Sequence, residues 1–231
     1  MIFEVKRETQ VSRSYRSERA RGLFNVTEED GSSFCLEADI PVEEGDWQIG
    51  VVVGKSGSGK TSIGQDLEAE GFTEWKGGRW VKSKPVIDAI ASKEHGFDEV
   101  TGILSQVGLG SVPAWLRPHH VLSNGEQFRA DLAALLLRTT EESRVWVDEF
   151  TSVLDRTVAQ IGSAAFAKTW RKMPGRQIVL MTPHRDVLDW VQPDWIFDTD
   201  SAQLQRGWLQ PQTEDRPGGE GDGVEVLALR V

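Results

Sequence analysis

The chain has 231 residues, 39% of them hydrophobic, and a formal net charge of −10. That length and apolar content suit one α/β domain, or one domain with a small subdomain, around a real core; a uniformly acidic surface excludes broad coating of nucleic acid or anionic membrane. The single cysteine, Cys35, excludes an internal disulfide and suits a reducing compartment, and no apolar run approaches the roughly 20 residues of a spanning helix.

Taken in chain order, residues 1 to 48 read as short strands. Met1 to Val5 alternates, and Ser33 to Ala38 follows the turn Glu29-Asp30-Gly31. Cys35, between Phe34 and Leu36, reads as a buried, inert thiol. The N-terminus lacks the apolar core of a signal peptide, so a soluble cytoplasmic protein is expected. Its basic residues Lys6, Arg7, Arg13, Arg16, Arg19 and Arg21 are diluted by Glu4, Glu8 and Glu18. They read either as a solvated face or as contacts to nucleotide phosphates or nucleic acid.

Residues 49 to 53 read as a buried strand, followed by a glycine-rich loop and a helix from Lys60 to about Glu70, ended by Gly71. Trp75 to Trp80 reads as a hairpin or tight turn. Residues 86 to 121 read as short helices and loops. Gly125 to about Thr139 reads as a helix with Phe128, Leu132, Leu135 and Leu136 on one face. Arg144 to Asp148 is the next strand, and Asp155 caps a helix to about Arg171. Strands follow at 177–182 and 195–198. Strand and helix alternate, which predicts a mostly parallel sheet with helices on both faces. Pro211 to Gly223 reads as a linker and Val224 to Val231 as a last strand. The nine tryptophans read as packing residues.

Gly54-Lys55-Ser56-Gly57-Ser58-Gly59-Lys60-Thr61 matches the phosphate-loop pattern, with a strand before it and a helix after it. Glycines let the backbone curve so that its N–H groups face a phosphate chain, and the helix N-terminus adds a favourable dipole. Lys60 is expected to neutralise the β- and γ-phosphates of a bound nucleotide and Thr61 to coordinate Mg²⁺ through its hydroxyl. Asp148 and Glu149 end an apolar strand, which puts both carboxylates at the C-terminal edge of the sheet beside that loop. Asp148 is expected to hold Mg²⁺ and Glu149 to polarise the attacking water.

Leu122-Ser123-Asn124-Gly125-Glu126 resembles the signature motif of the ABC-type ATPases. Val147 to Asp155 resembles their Walker B and D-loop, with Phe150 where Pro is commoner, and His184 resembles their switch histidine. The motifs run in the family's order over residues 49 to 198. The resemblance implies a P-loop fold with an N-terminal antiparallel β portion, and an ATPase domain over residues 1–210 with a linker and tail at 211–231. It also implies a homodimer sandwiching two ATP. In that dimer Ser123 and Gly125 act in trans and His184 contacts the γ-phosphate and holds Glu149. An upstream aromatic, Tyr15 or its rival Phe24, would stack on adenine, unless either belongs to the core.

Two features depart from the transporter pattern. Only about 60 residues separate Thr61 from Leu122, so the helical region, about 83–140, is shortened where membrane subunits would dock. No glutamine sits at the Q-loop position either: Gln106 reads as a helix end and Asp88 is a weak substitute. Further stretches, Asp46 to Gly50, Pro113 to Pro118, Phe150 to Gln160 and Asp189 to Trp195, resemble a soluble subgroup found in prokaryotes and their phages. That subgroup is often joined to a predicted acetyltransferase domain, and this chain ends where the extra domain would begin, so an acetyltransferase-like or other protein partner is expected on a second polypeptide. The rival readings are a P-loop kinase acting on a hydroxyl of a small molecule or base, a DNA-repair-like nucleic-acid clamp, and an ATP-switched regulatory module; membrane transport ranks last.

Overall fold

The computed structural model describes residues 2–8, 14–25, 33–43, 46–90 and 94–207, the side chains of 2–8 and 33–35 excepted. The expected linker at Pro211 to Gly223, the last strand at Val224 to Val231 and the Cys35 thiol lie outside what is described.

The centre is a six-stranded sheet of order β4-β5-β6-β3-β7-β8. β3 (Ile49–Val53), β4 (Thr73–Glu74), β5 (Arg144–Val147), β6 (Gln177–Thr182) and β7 (Trp195–Asp198) run parallel; β8 (Gln203–Arg206) closes one edge antiparallel to β7. A separate antiparallel pair, β1 (Ile2–Glu8) and β2 (Ser33–Asp39), precedes it.

The central strands are buried on both faces, as parallel strands between helical layers must be. Alternate residues divide cleanly between the faces. Ile49, Val51, Val53, Val145, Ile178, Leu180 and Ile196 join one core. It is built with α4 (Phe97–Gln106), α6 (Asn124–Arg138), α7 (Arg156–Trp170) and α8 (Val187–Val191). Val52, Trp146, Val179, Met181, Trp195 and Phe197 join the other, against α2 (Lys60–Leu67) and the end of β2. Tryptophan fills both: Trp146, Trp170 and Trp195 are among the largest fully buried side chains. A Cβ on Gly50 would stand 2.0 Å from the Trp195 ring, and one on Gly64 2.5 Å from Trp146, so these glycines make room for indoles.

The expected helices and strands lie where the periodicity puts them, within a residue or two. The 3-10 turn Glu68–Glu70 ends at Gly71 in the left-handed region, φ 82°. One expectation needs correction. Residues 1 to 48 are not all strand and loop: α1 (Tyr15–Phe24) lies among them, capped by the Ser14 hydroxyl accepting from Ser17 N–H and by Asn25 in the left-handed region. Of the hairpin or tight turn expected at Trp75 to Trp80 the structure has the turn: the segment leaves β4 as an irregular strip, with Trp80 N–H donating to Gly78 O at 3.0 Å. The short strands β4 and β8 and the short helix α8 were not anticipated. The remaining helices, α3 (Val86–Ala89) and α5 (Val112–Trp115), fall in the stretch expected to hold short helices. Among the described residues no helix is long and apolar enough to cross a membrane.

Candidate nucleotide-binding site

β3 feeds residues 54–59 directly into α2, whose N-cap, Gly59, holds φ 89°. A side chain there would be forced into the left-handed region at a cost of about 1–2 kcal/mol. A Cβ on Gly54 would fall 1.9 Å from Thr199 Oγ1. The loop is braced from β7: Ser58 and Thr199 hydroxyls share a hydrogen bond, Thr199 Oγ1 donates to Val53 O at 3.2 Å, and Asp200 Oδ1 accepts Lys55 N–H at 3.3 Å. Ser56 and Gly57 at the loop tip are exposed. Lys60 is only 5% exposed, and its ammonium donates to Gly54 O at 2.8 Å and Lys55 O at 2.7 Å. An ammonium has three donors, so the lysine closes the loop on itself and keeps one hydrogen for an incoming oxygen.

The sheet register brings the second motif to this loop. Val53 pairs with Thr182, and Val147 with Leu180, so β5, β6 and β3 end side by side. Thr61 Oγ1 donates to Asp148 Oδ2 at 2.7 Å, across 87 residues of sequence. Asp148 Oδ1 accepts Glu149 N–H at 2.9 Å, and Phe150 N–H returns to Met181 O at 2.8 Å. Glu149 and Thr151 adopt φ 49° and 64°, a conformation that costs non-glycine residues of order 1–3 kcal/mol and clusters at functional turns. Glu149 is exposed at this edge. His184 is half-buried two residues past Thr182, its N–H on the Thr182 hydroxyl at 3.1 Å. It therefore stands between the loop's strand and the carboxylates' strand. A cavity of about 450 Å³ opens beside Asp148 and Glu149, walled by Trp75, Phe128, Phe150 and Val153.

Ser123 and Gly125 sit at the start of α6. The Ser123 hydroxyl and N–H both donate to Glu126 Oε2, at 2.8 and 2.9 Å, and Glu126 N–H returns to Ser123 Oγ: a capping box. The Ser123 N–H and hydroxyl, with Arg117 and Arg129 nearby and against the effect of burial, hold the Glu126 carboxyl below its ordinary range. Ser123 is exposed, and no hydrogen bond among the described residues joins it to residues 54–61. Gly125 has a packing reason to be glycine: a Cβ would lie 2.7 Å from Val158 on α7.

Tyr15 and Phe24 are each 77% exposed on α1, and the Tyr15 hydroxyl accepts from Arg19 at 3.2 Å. Neither is core, and no described hydrogen bond ties either to the loop. Gln106 ends α4 as expected, Asp88 lies exposed on α3, and neither lines the cavity beside Glu149. Glu74, Trp75 and Lys76 line it instead, because β4 pairs with β5. The sequence reading missed the Thr199–Asp200 brace. Its one sequence signal is the polar run Asp198-Thr199-Asp200 ending an apolar strand. Burial works against the Asp198 charge, but Arg185, with the N–H groups of Asp200 and Ser201, holds its pKa below the usual carboxylate range; Arg185 is 2.7 Å from Asp198 and 3.7 Å from Asp200.

Among the described residues no three His, Cys, Asp or Glu side chains gather to hold a metal ion. The Thr61 hydroxyl and Asp148 carboxylate are nonetheless the hard oxygen donors that Mg²⁺ takes when it shares its shell with phosphates and water.

The sheet order and phosphate loop define a P-loop NTPase fold, and solved structures narrow it. No protein-family model and no curated protein matches the sequence. cbiO1 from Clostridium perfringens, part of the ABC transporter complex cbiONQ, superposes with a TM-score of 0.54 at 15% identity, over 78% of this chain and 84% of that one. MJ0796, a bacterial ABC transporter cassette solved as a dimer, gives 0.53 at 14% identity, over 86% and 94%. Its post-hydrolysis dimer bound to ADP and Pi gives 0.56 at 13%, over 90% and 98%. The chain has the fold of the ABC-type ATPase cassettes.

Proposed function

We propose that this chain binds and hydrolyses ATP as an ABC-type ATPase that closes as a homodimer around two nucleotides and couples hydrolysis to that switch. The observation that carries the reading is the Thr61–Asp148 hydrogen bond of 2.7 Å, which holds phosphate loop and acidic strand end together with Glu149 next in line.

In this reading the amides of residues 56–61 and the free Lys60 N–H hold the β- and γ-phosphates, and Thr61 and Asp148 hold Mg²⁺, which offsets charge on the phosphate oxygens. Glu149 accepts a proton from water as the water oxygen bonds to the γ-phosphorus and the bond to the bridging β–γ oxygen breaks, releasing ADP and phosphate. Positioning and charge stabilisation dominate such chemistry. His184 orients Glu149 and the γ-phosphate. Ser123 and Gly125 of one protomer complete the partner's site, where a hydroxyl, N–H groups and a helix N-terminus favour anionic oxygen. Tyr15, being exposed, is available to adenine. The ATPase unit is residues 1–210, with 211–231 a linker and tail, and the protein works in the cytoplasm.

The test is the molar mass of Glu149→Gln in solution with and without Mg·ATP. An ATP-dependent shift from monomer to dimer is expected. A variant that binds ATP and stays monomeric overturns the dimer reading, and ADP release without free phosphate on adding an acceptor would point to a kinase.

A further inference from the structure

The carboxylates Asp148 and Glu149 and the exposed Ser123 belong to different elements, and one side chain fastens the two together. Asp131 lies two turns into α6, the helix that begins at Ser123. Its Oδ1 accepts Gly78 N–H at 2.8 Å and Trp80 Nε1–H at 2.7 Å. Its Oδ2 lies 3.4 Å from His119 Nε2, off the hydrogen-bonding line. The Trp80 and His119 rings stack at 4.5 Å and 9°. Gly77, at φ 89°, runs alongside at ordinary contact distance, 3.4 Å from Oδ1 for a Cβ placed there.

The strip held by Asp131 is the continuation of β4. Trp75 N–H donates to Trp146 O at 2.8 Å on β5, and β5 runs directly into Asp148 and Glu149. Glu74, Trp75, Lys76 and Gly77 line the same cavity as those carboxylates, with Asp131 on its wall. Against α7 the helix α6 meets its neighbour through packing: Gly125 on Val158, and Phe128 on Gly162. Its other polar links lead away from the β4 strip: at its far end Arg138 donates to Ala89 O and Ile90 O, each at 3.2 Å, and Leu136 O accepts from Arg176 at 3.0 Å, while near its start Glu126 lies 3.8 Å from Arg117. Apolar contacts leave a helix some freedom to slide, whereas two short bonds to one carboxylate oxygen set its register.

We propose that Asp131 is a positioning residue: by clasping Gly78 and Trp80 it fixes where α6, and with it Ser123, stands relative to Glu149, so that nucleotide binding is transmitted to the face that meets the second copy. This rests on the dimer reading above. Nucleotide affinity within one protomer does not pass through the clasp; turnover and ATP-driven association do.

The experiment compares Asp131→Ala and Asp131→Asn, alone and in the Glu149→Gln background. It reads Mg·ATP affinity by calorimetry, kcat, melting temperature, and the protein concentration at half-dimerisation with ATP. Asp131→Ala is expected to leave Kd within about threefold, while lowering kcat and weakening ATP-driven association by about tenfold, within the usual range of coupling between sites. Asp131→Asn keeps an oxygen for Gly78 and Trp80 and recovers most of both. The proposal is overturned if Asp131→Ala keeps kcat and association within twofold of the parent, or if both variants lose nucleotide affinity and melting temperature together. Glu149→Gln alone reports on the dimer reading: if it binds ATP without associating, that reading fails and this proposal with it, whereas association in that parent that is unchanged by Asp131→Ala sinks the clasp only.

Discussion

The C-terminal edge of the sheet and the N-terminal end of α6 are both proposed to meet phosphate, yet they are built differently. At the sheet edge the groups already engage one another: Lys60 with the loop carbonyls, Thr61 with Asp148, Thr199 with Ser58. At the start of α6 Ser123 and Glu126 satisfy each other in a capping box, with Arg117 3.8 Å from Glu126, and Ser123 faces outward. The flanking surface carries exposed apolar residues, among them Leu116 at 64%, Val121 at 50% and, on the turn after β5, Val153 at 85%. One set of groups is engaged within the chain; the other is presented to the outside, as the proposed role of Ser123 in a second copy's site requires.

The comparison breaks most visibly at Glu149. Glu149→Gln should lower ATP turnover by about 100- to 10,000-fold, the usual span of a general base, with Mg·ATP still bound by calorimetry; wild-type turnover would remove Glu149 from the reaction. Next in size is Lys60→Ala. It strips a buried cation from two carbonyls and from the phosphates, and is expected to weaken ATP binding by about 2–5 kcal/mol, beyond detection at ordinary concentrations. Normal affinity in that variant rejects the loop as the site.

Gly125→Ala sharpens the contrast. The added methyl meets Val158, an overpacking worth about 1–3 kcal/mol of stability, and Val158→Ala in the same chain should restore the melting temperature. If ATPase activity returns with it, Gly125 is glycine for packing alone; if activity stays low in a stable protein, the bare backbone at the helix start is needed for phosphate. The smallest effect is on acid stability. A carboxyl whose pKa is lowered by folding stabilises fully above its unfolded value, about 4.3 for glutamate, and loses that contribution as pH falls through the folded value. Between about pH 5 and pH 3 the wild type should therefore lose more melting temperature than Glu126→Gln, whose amide still caps the helix. Parallel curves would show that the bonds between Ser123 and Glu126 do not matter to folding.

Local chemistry determined a good deal by itself. The phosphate loop with its flanking strand and helix, the apolar strand ending in Asp148-Glu149, and the Ser123 and Asp155 caps are each written in fewer than twenty consecutive residues, because glycine conformation, side-chain period and capping act over one or two turns. The same local rules were present for α1 in Ser14, Glu18 and Asn25, but none of its residues is buried, so no apolar stripe marked it. Only the tertiary structure decided that the two-residue β4 belongs to the sheet, and that Glu74 to Lys76 rather than Gln106 or Asp88 stand beside Glu149. It also decided that Thr199 and Asp200 brace a loop more than 140 residues away, and that Asp131 clasps Gly78 and Trp80 across 53 and 51 residues. Those contacts follow from strand order and helix docking, which are set by how two apolar faces close over one sheet. No residue's own neighbours in sequence carry that information.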